Sequence, residues 1–277
     1  MIRFLVDTSS DYTVEEAKTA GLELVPLHIN FGEDNYNDAY DLSKEGFYEL
    51  LTTREEFPKT SQPTPQNFVD AFEDAQEKGD DLICILLSSK LSGTYQSATL
   101  AKSIVEYENI HLIDSLGATY MIRILAEHGQ KLADEGKTVE EIVEAMENLK
   151  SKIKVLAVVD TLEYLCKGGR VSKATAAIGE MAKVKPMITV SEGEVAVIGK
   201  SLGKNKAIGS ILKALEGCEV DGSFPIYSVA TVGTENCEVF EKKLEAAGYH
   251  YTERVQVGAT IGTHVGPGVF GMIFVQK

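Results

Sequence analysis

No apolar stretch of this chain approaches the roughly 18 residues that a membrane span needs. Its opening, Met1-Ile2-Arg3-Phe4-Leu5-Val6-Asp7, reaches a charge too soon for a secretory signal. A cytoplasmic protein with no stable membrane insertion is the expectation. Cysteine is scarce: Cys84, Cys166, Cys218 and Cys237 are the only four, and no two make a Cys-x-x-Cys pair. Reduced thiols and no zinc site follow. The five histidines show no i, i+4 pair that would hold a metal on a helix. Cations are also in short supply, 27 Lys and Arg against 42 Asp and Glu, a net charge of −15. That surface argues against nucleic acid and against anionic membranes. It does not exclude a lipid held inside, which meets local donors rather than net charge. No Gly-x-x-x-x-Gly-Lys-Ser/Thr loop is present, and no Gly-x-Gly-x-x-Gly sits at a strand-to-helix turn. No catalytic residue and no cofactor is expected.

What is present suits a folded protein of two domains or one large one: 277 residues, 44% hydrophobic and 25% charged. The first half alternates. Arg3 to Asp7, Leu22 to Leu27, Leu82 to Leu87 and Ile110 to Ile113 read as strands. Thr13 to Ala20, Gln66 to Lys78, Tyr95 to Val105 and about Leu116 to Glu135 read as helices. Thr64-Pro65 supplies a hydroxyl cap and a first-turn proline, and Thr138 with Glu141 supplies a capping box. Gly32 to Asp41 reads as a polar connection. A βαβα order implies a parallel, doubly wound sheet. The second half departs from it. Pro186 to Val190 and Glu194 to Ile198, joined by Ser191-Glu192-Gly193, form a hairpin signal. Ser172 to Lys183, Lys204 to Leu215 and Thr234 to Ala247 read as helices, and Val155 to Val159, Ile226 to Val232, Tyr251 to Val257 and Val269 to Val275 as strands. The expectation is an α/β protein with a parallel N-terminal domain, 1–152, and a mixed α/β C-terminal domain, 153–277.

The loop Ser88-Ser89-Lys90-Leu91-Ser92-Gly93-Thr94 lies between the carboxyl end of a strand and the amino end of a helix. Open α/β sheets bind ligands there. Free N–H groups and the helix dipole favour an anion. Ser92 and Thr94 add hydroxyl donors, and Gly93 allows close approach to the backbone. Helix capping alone would also explain those hydroxyls. Three further segments carry ligand-type chemistry: Thr60-Ser61-Gln62-Pro63, Lys167-Gly168-Gly169-Arg170-Val171-Ser172, and Gly262-Thr263-His264-Val265-Gly266-Pro267-Gly268. Taken singly, each is equally a helix entry, a helix stop or a shaped turn.

Together, in this order and spacing, with Leu162-Glu163-Tyr164-Leu165, Lys185-Pro186 and the Val6-Asp7-Thr8-Ser9 start, they resemble the signature set of the DegV family. That family includes bacterial fatty-acid-binding subunits of fatty acid kinase. The resemblance runs the whole length of the chain. It implies a two-domain fold that encloses one long-chain fatty acid, with the acyl chain in an apolar tunnel and the carboxylate near the domain interface. Carried over residue by residue, Thr60 and Ser92 would hydrogen-bond the carboxylate, and Ser61, Gly93, Thr94 and His264 would complete its surroundings. Arg170 would help present the head group to a kinase. A fatty acid kinase subunit and an acyltransferase are the implied partners. Leu202 departs from the pattern, standing where many members carry an arginine, so how a kinase would dock is open.

The physics agrees with a bound lipid. A chain of about sixteen carbons gains roughly 0.8 kcal/mol per buried methylene, on the order of 10 kcal/mol gross. An unpaired buried carboxylate would cost several kcal/mol, which neutral donors offset while leaving the oxygen nucleophilic. Two alternatives compete. One is an acyl hydrolase with Ser92 as nucleophile and His264 as base. It lacks a Gly-x-Ser-x-Gly elbow and needs an orienting residue and an oxyanion hole. The other is a sensor of a non-lipid anion or metabolite.

Overall fold

The computed structural model describes residues 1–172, 184–233 and 235–277. They fall into two compact units: Met1–Ser151 with Gly258–Thr260, and Lys152–Val257 with Ile261–Lys277.

Unit 1 runs in the order β1 (Ile2–Asp7), a 3-10 turn (Thr8–Ser10), α1 (Val14–Thr19), β2 (Leu22–Val25), β3 (His28–Phe31), β4 (Asp34–Asn37) and α2 (Lys44–Thr53). It continues with β5 (Lys59–Ser61), α3 (Gln66–Lys78), β6 (Asp81–Leu86), α4 (Thr94–Val105), β7 (Ile110–Asp114), α5 (Tyr120–Asp134) and α6 (Val139–Lys150). Its main sheet is parallel, in the order β2-β1-β6-β7. Both faces are covered. Leu5, Leu82, Cys84 and Leu86 pack with Phe68, Phe72, Ala98 and Ala101 of α3 and α4. On the other face α5 comes so near β1 that a Cβ on Gly129 would lie 2.9 Å from the Phe4 ring. This is why β6 is apolar from Leu82 onward: there neither of its faces meets water. The sheet is the doubly wound one expected. Winding proceeds from β1 to β2 in one direction and from β6 to β7 in the other, so the switch falls between β1 and β6.

Three local readings are corrected. The polar stretch from Gly32 is a hairpin, because Gly32 takes φ 58° in a two-residue loop between β3 and β4. With β5 it forms a second, antiparallel sheet, β4-β3-β5. Thr64 does not cap α3. Its hydroxyl and its N–H both donate to Asn67 Oδ1, so the side chain accepts nothing from the first-turn backbone, and the carbonyl takes the Asn67 N–H instead. α5 starts at Tyr120 rather than near Leu116, because Leu116 and Thr119 sit at φ 51° and 57°. The Thr138–Glu141 capping box is present.

Unit 2 contains β8 (Ile153–Val158), α7 (Glu163–Lys167), β9 (Val184–Ser191), β10 (Glu194–Leu202), α8 (Lys204–Glu216), β11 (Tyr227–Ala230), α9 (Glu235–Ala246), β12 (Glu253–Gln256) and β13 (Phe270–Val275). Helix α10 (Ala259–Val265) begins in unit 1 and ends in unit 2. The sheet is mixed, β10-β9-β8-β13-β11-β12, with β11 and β12 as its parallel pair. Ile208, Ile211, Phe240 and Leu244 of α8 and α9 pack on Val158, Met272 and Phe274. The hairpin of β9 and β10 is as expected, with a register shift between Val197 and Gly199. The helix expected over Ser172 to Lys183 lies, beyond Ser172, outside the described residues, as does Thr234.

Candidate functional site

The switch between β1 and β6 brings two strand ends together, and Asp7 joins them. Its Oδ1 accepts from Ser9 N–H at 2.9 Å, capping the 3-10 turn, and its Oδ2 accepts from Leu87 N–H at 2.7 Å. Burial pushes this carboxyl up to about 6. The residues after β6 then fold back on themselves. Leu91 and Ser92 N–H donate to Ser88 O, Lys90 N–H to Ser88 Oγ, and Ser89 N–H to Asp114 Oδ1. Most backbone donors of the loop are therefore committed, and the hydroxyls become its available chemistry.

Ser92 Oγ lies 2.9 Å from Thr94 Oγ1 and accepts from Thr94 N–H at 3.3 Å. The two hydroxyls carry two protons and share one hydrogen bond. One proton is left to donate outward, at the start of α4, where the helix dipole favours an anion. Thr94 is buried and Ser92 half-buried, so the outward donor lies at the edge of solvent.

β5 reaches this helix start through Gln62, whose Nε2 donates to Ser97 Oγ at 2.9 Å. A Cβ on Gly93 would sit 1.9 Å from Gln62 Oε1. The Gln62 amide thus occupies the space a side chain at position 93 would fill, a tie the sequence did not reveal. Thr60 is half-buried in register with Ile29 and shares its side of the strand with Gln62. Ser61 points the other way and is exposed.

In unit 2 the Gly168-Gly169-Arg170 turn and α10 meet. His264 is a helical residue, not one of a loop as its glycine-rich surroundings suggested, and is 8% exposed. A Cβ on Gly168 would lie 2.2 Å from His264 Nδ1, and one on Gly266 2.4 Å from the Tyr164 ring. These glycines let the ring and the turn touch. Arg170 donates to Gly168 O, closing the turn over Gly169 at φ 74°. Burial, and secondarily the Arg170 cation, hold the His264 imidazolium down to about 4, so the ring is neutral at physiological pH. Burial also lowers Arg170 from its ordinary value.

A polar hollow of about 630 Å³ opens elsewhere in unit 2, lined in part by Asp160, Lys204, Glu235 and Asn236. Its lining is unsuited to an acyl chain. Among the described residues no group of three or more His, Cys, Asp and Glu is placed to hold a metal, and no helix is long and apolar enough to cross a membrane.

The family model described as "Uncharacterised protein, DegV family" matches residues 1–277. A DegV domain-containing protein of Caldanaerobacter subterraneus subsp. tengcongensis is 38% identical over 281 residues, 100% of this chain and 99% of that protein. Among solved structures, a fatty-acid-binding DegV family protein from Thermus thermophilus has a TM-score of 0.87 at 28% identity, covering 100% of this chain and 99% of that one. A stearic-acid-binding protein from Eubacterium ventriosum has a TM-score of 0.89 at 26% identity, with the same coverage. Matched from first residue to last in sequence and in fold, the chain belongs to the DegV family.

Proposed function

We propose that this protein binds one long-chain fatty acid, holds its carboxylate with neutral donors, and presents it to a partner kinase that forms the acyl phosphate. An acyltransferase then consumes that product. The chain supplies no catalysis of its own, works in the cytoplasm and is divided into two domains near residue 152. The observation that carries the reading is the Ser92–Thr94 hydroxyl pair, with one proton to spare at a helix start on the sheet's switch point. Thr60 is its natural neighbour, because Gln62 ties the end of β5 to the same helix start. The solved relatives described as fatty-acid binders support the class of ligand.

Ser61, Gly93, His264 and Arg170 take their roles from the family resemblance and from their chemistry. A neutral imidazole donates one hydrogen bond without adding charge. A guanidinium is suited to the extra negative charge of an acyl phosphate. The hydrolase alternative is weaker, because a base held down to about 4 takes little share in abstracting a serine proton.

Mass spectrometry of the purified protein, native and then denatured, tests the reading. A stoichiometric fatty acid released on denaturation supports it. An empty protein that also refuses added fatty acid overturns it in favour of the anion sensor.

A further inference from the structure

Two buried carboxylates of unit 1, outside the hydroxyl loop, have partners distant in sequence. Asp11 follows the 3-10 turn at φ 63°, and its Oδ1 accepts from Gly258 N–H at 2.9 Å. Asp38 follows β4, and its Oδ2 accepts from Thr260 N–H at 3.2 Å and from the Thr260 hydroxyl. Gly258 and Thr260 flank Ala259, the first residue of α10. A helix start exposes N–H groups with no intrahelical partner, and negative charge is favoured there. Gly258 is required by this contact, since a Cβ on it would lie 2.7 Å from Asp11 Oδ1.

The arrangement is costlier than a plain cap. A serine or asparagine would satisfy the same donors without burying charge. Here two carboxylates are buried together, and Asp11 Oδ2 finds no hydrogen bond. Lys44 and Arg123 lie near enough to offset the Asp11 charge, while Asp38 opposes it. Tyr48 faces both carboxylates and stays neutral. Helix α10 has seven residues, too few to persist by its own propensity. His264 follows Thr260 by four residues, one turn along the same face.

We propose that Asp11 and Asp38 form a clasp on Gly258–Thr260 that secures the first turn of α10 and so keeps His264 in its buried setting. The two aspartates are positioning residues for His264, and the importance of that for ligand binding rests on the function proposed above.

The His264 ring reports on the clasp directly, in protein first stripped of any bound lipid. Histidine ring NMR of the full chain is recorded against pH for the wild type, Asp38→Ala, Thr260→Val and Thr260→Ser. The wild-type ring is expected to titrate near 4, because burial and then the Arg170 cation disfavour its charge. Asp38→Ala and Thr260→Val are expected to raise that midpoint towards 6.5 by about one unit or more, because a frayed first turn admits water to the ring. Thr260→Ser keeps the hydroxyl and restores the wild-type midpoint. His111, His128 and His250 serve as internal controls and stay where they were. Thr260→Val is isosteric and keeps the N–H bond, so it remains informative where Asp38→Ala fails to fold. An unmoved His264 in the folded variants overturns the proposal. So does a shift shared equally by the three controls, which would mean general loosening. Because the ring is read in lipid-free protein, failure of this test leaves the fatty acid reading standing, and an empty protein in the mass spectrometer leaves the clasp standing.

Discussion

Replacing Asp11 by asparagine should stabilise the protein in alkaline solution much more than in mild acid. Asp11 is buried, and desolvation, the largest cause, raises its carboxyl to about 7 from an ordinary 3.8. For an acid whose folded value is raised, folding favours the protonated form. The contribution to stability is complete below the unfolded value and is lost as pH rises through the folded one. Each unit is worth about 1.4 kcal/mol. By pH 5.5 about 2 kcal/mol has been lost, and by pH 8 about 4 kcal/mol, so the interval between them contributes about 2 kcal/mol. Asp7, at about 6, adds roughly 1 kcal/mol in the same direction. His264, held down to about 4, acts oppositely and costs stability on the acid side. The comparison with Asp11→Asn cancels Asp7 and His264 and isolates the one group. Asparagine Oδ1 can still accept from Gly258, so the clasp geometry is retained. Urea unfolding at constant ionic strength gives the assay. The variant's gain over wild type should be about 2 kcal/mol larger at pH 8 than at pH 5.5. A gain that does not change with pH, or that is larger in acid, refutes the reasoning.

Three further outcomes follow from the same geometry. Ser92→Ala combined with Thr60→Ala should weaken fatty acid binding by a few kcal/mol, about a hundredfold, in a fluorescent fatty acid displacement titration; unchanged affinity would put the head group elsewhere. Gly168→Ala drives a methyl into His264, and overpacking of that kind costs about 1–3 kcal/mol, read as a lower thermal midpoint together with a displaced His264 ring signal. Arg254→Ala strands the buried Glu241 carboxylate with the Ser228 and Tyr251 hydroxyls as partners and should cost about 2 kcal/mol or more, while Glu241→Gln in the same background recovers part of it in the same melting experiment.

The sequence was most legible where a single periodicity decided the outcome. The run Leu82 to Leu87 could be read as a doubly covered strand because every residue in it is apolar, and the structure buries them all. The capping box at Thr138 and Glu141 was legible because both halves of it are local. The small antiparallel sheet was not. Its strands Asp34–Asn37 and Lys59–Ser61 are polar and short, and they pair with β3 across more than twenty residues in one case. The same division holds for the candidate site. Ser92 and Thr94 announce themselves by sitting after a strand and before a helix. Asp11 and Asp38 do not, since nothing near them in sequence says that Gly258 and Thr260 supply their partners. Gln62 was visible only as part of a motif, and no local pattern announces that its amide fills the space beside Gly93.

His264 poses a question that a single variant can resolve: what keeps the ring neutral. Two causes act in one direction, burial first and the Arg170 cation second. A cation beside an imidazole disfavours a second positive charge, but the guanidinium is half-buried and engaged with Gly168 O, which fixes its place. Arg170→Gln removes the charge and leaves most of the packing. If burial dominates, the His264 midpoint rises only part of the way and stays below 6.5 in ring NMR. A full return to 6.5 would mean that charge governs the ring, and the Gly168 contact would then be incidental to its protonation. The distinction bears on the proposed carrier. A ring kept neutral by burial can donate to a carboxylate and go on donating to a more highly charged product without gaining a proton, whereas a ring kept neutral by Arg170 would become basic once an anion drew that guanidinium away.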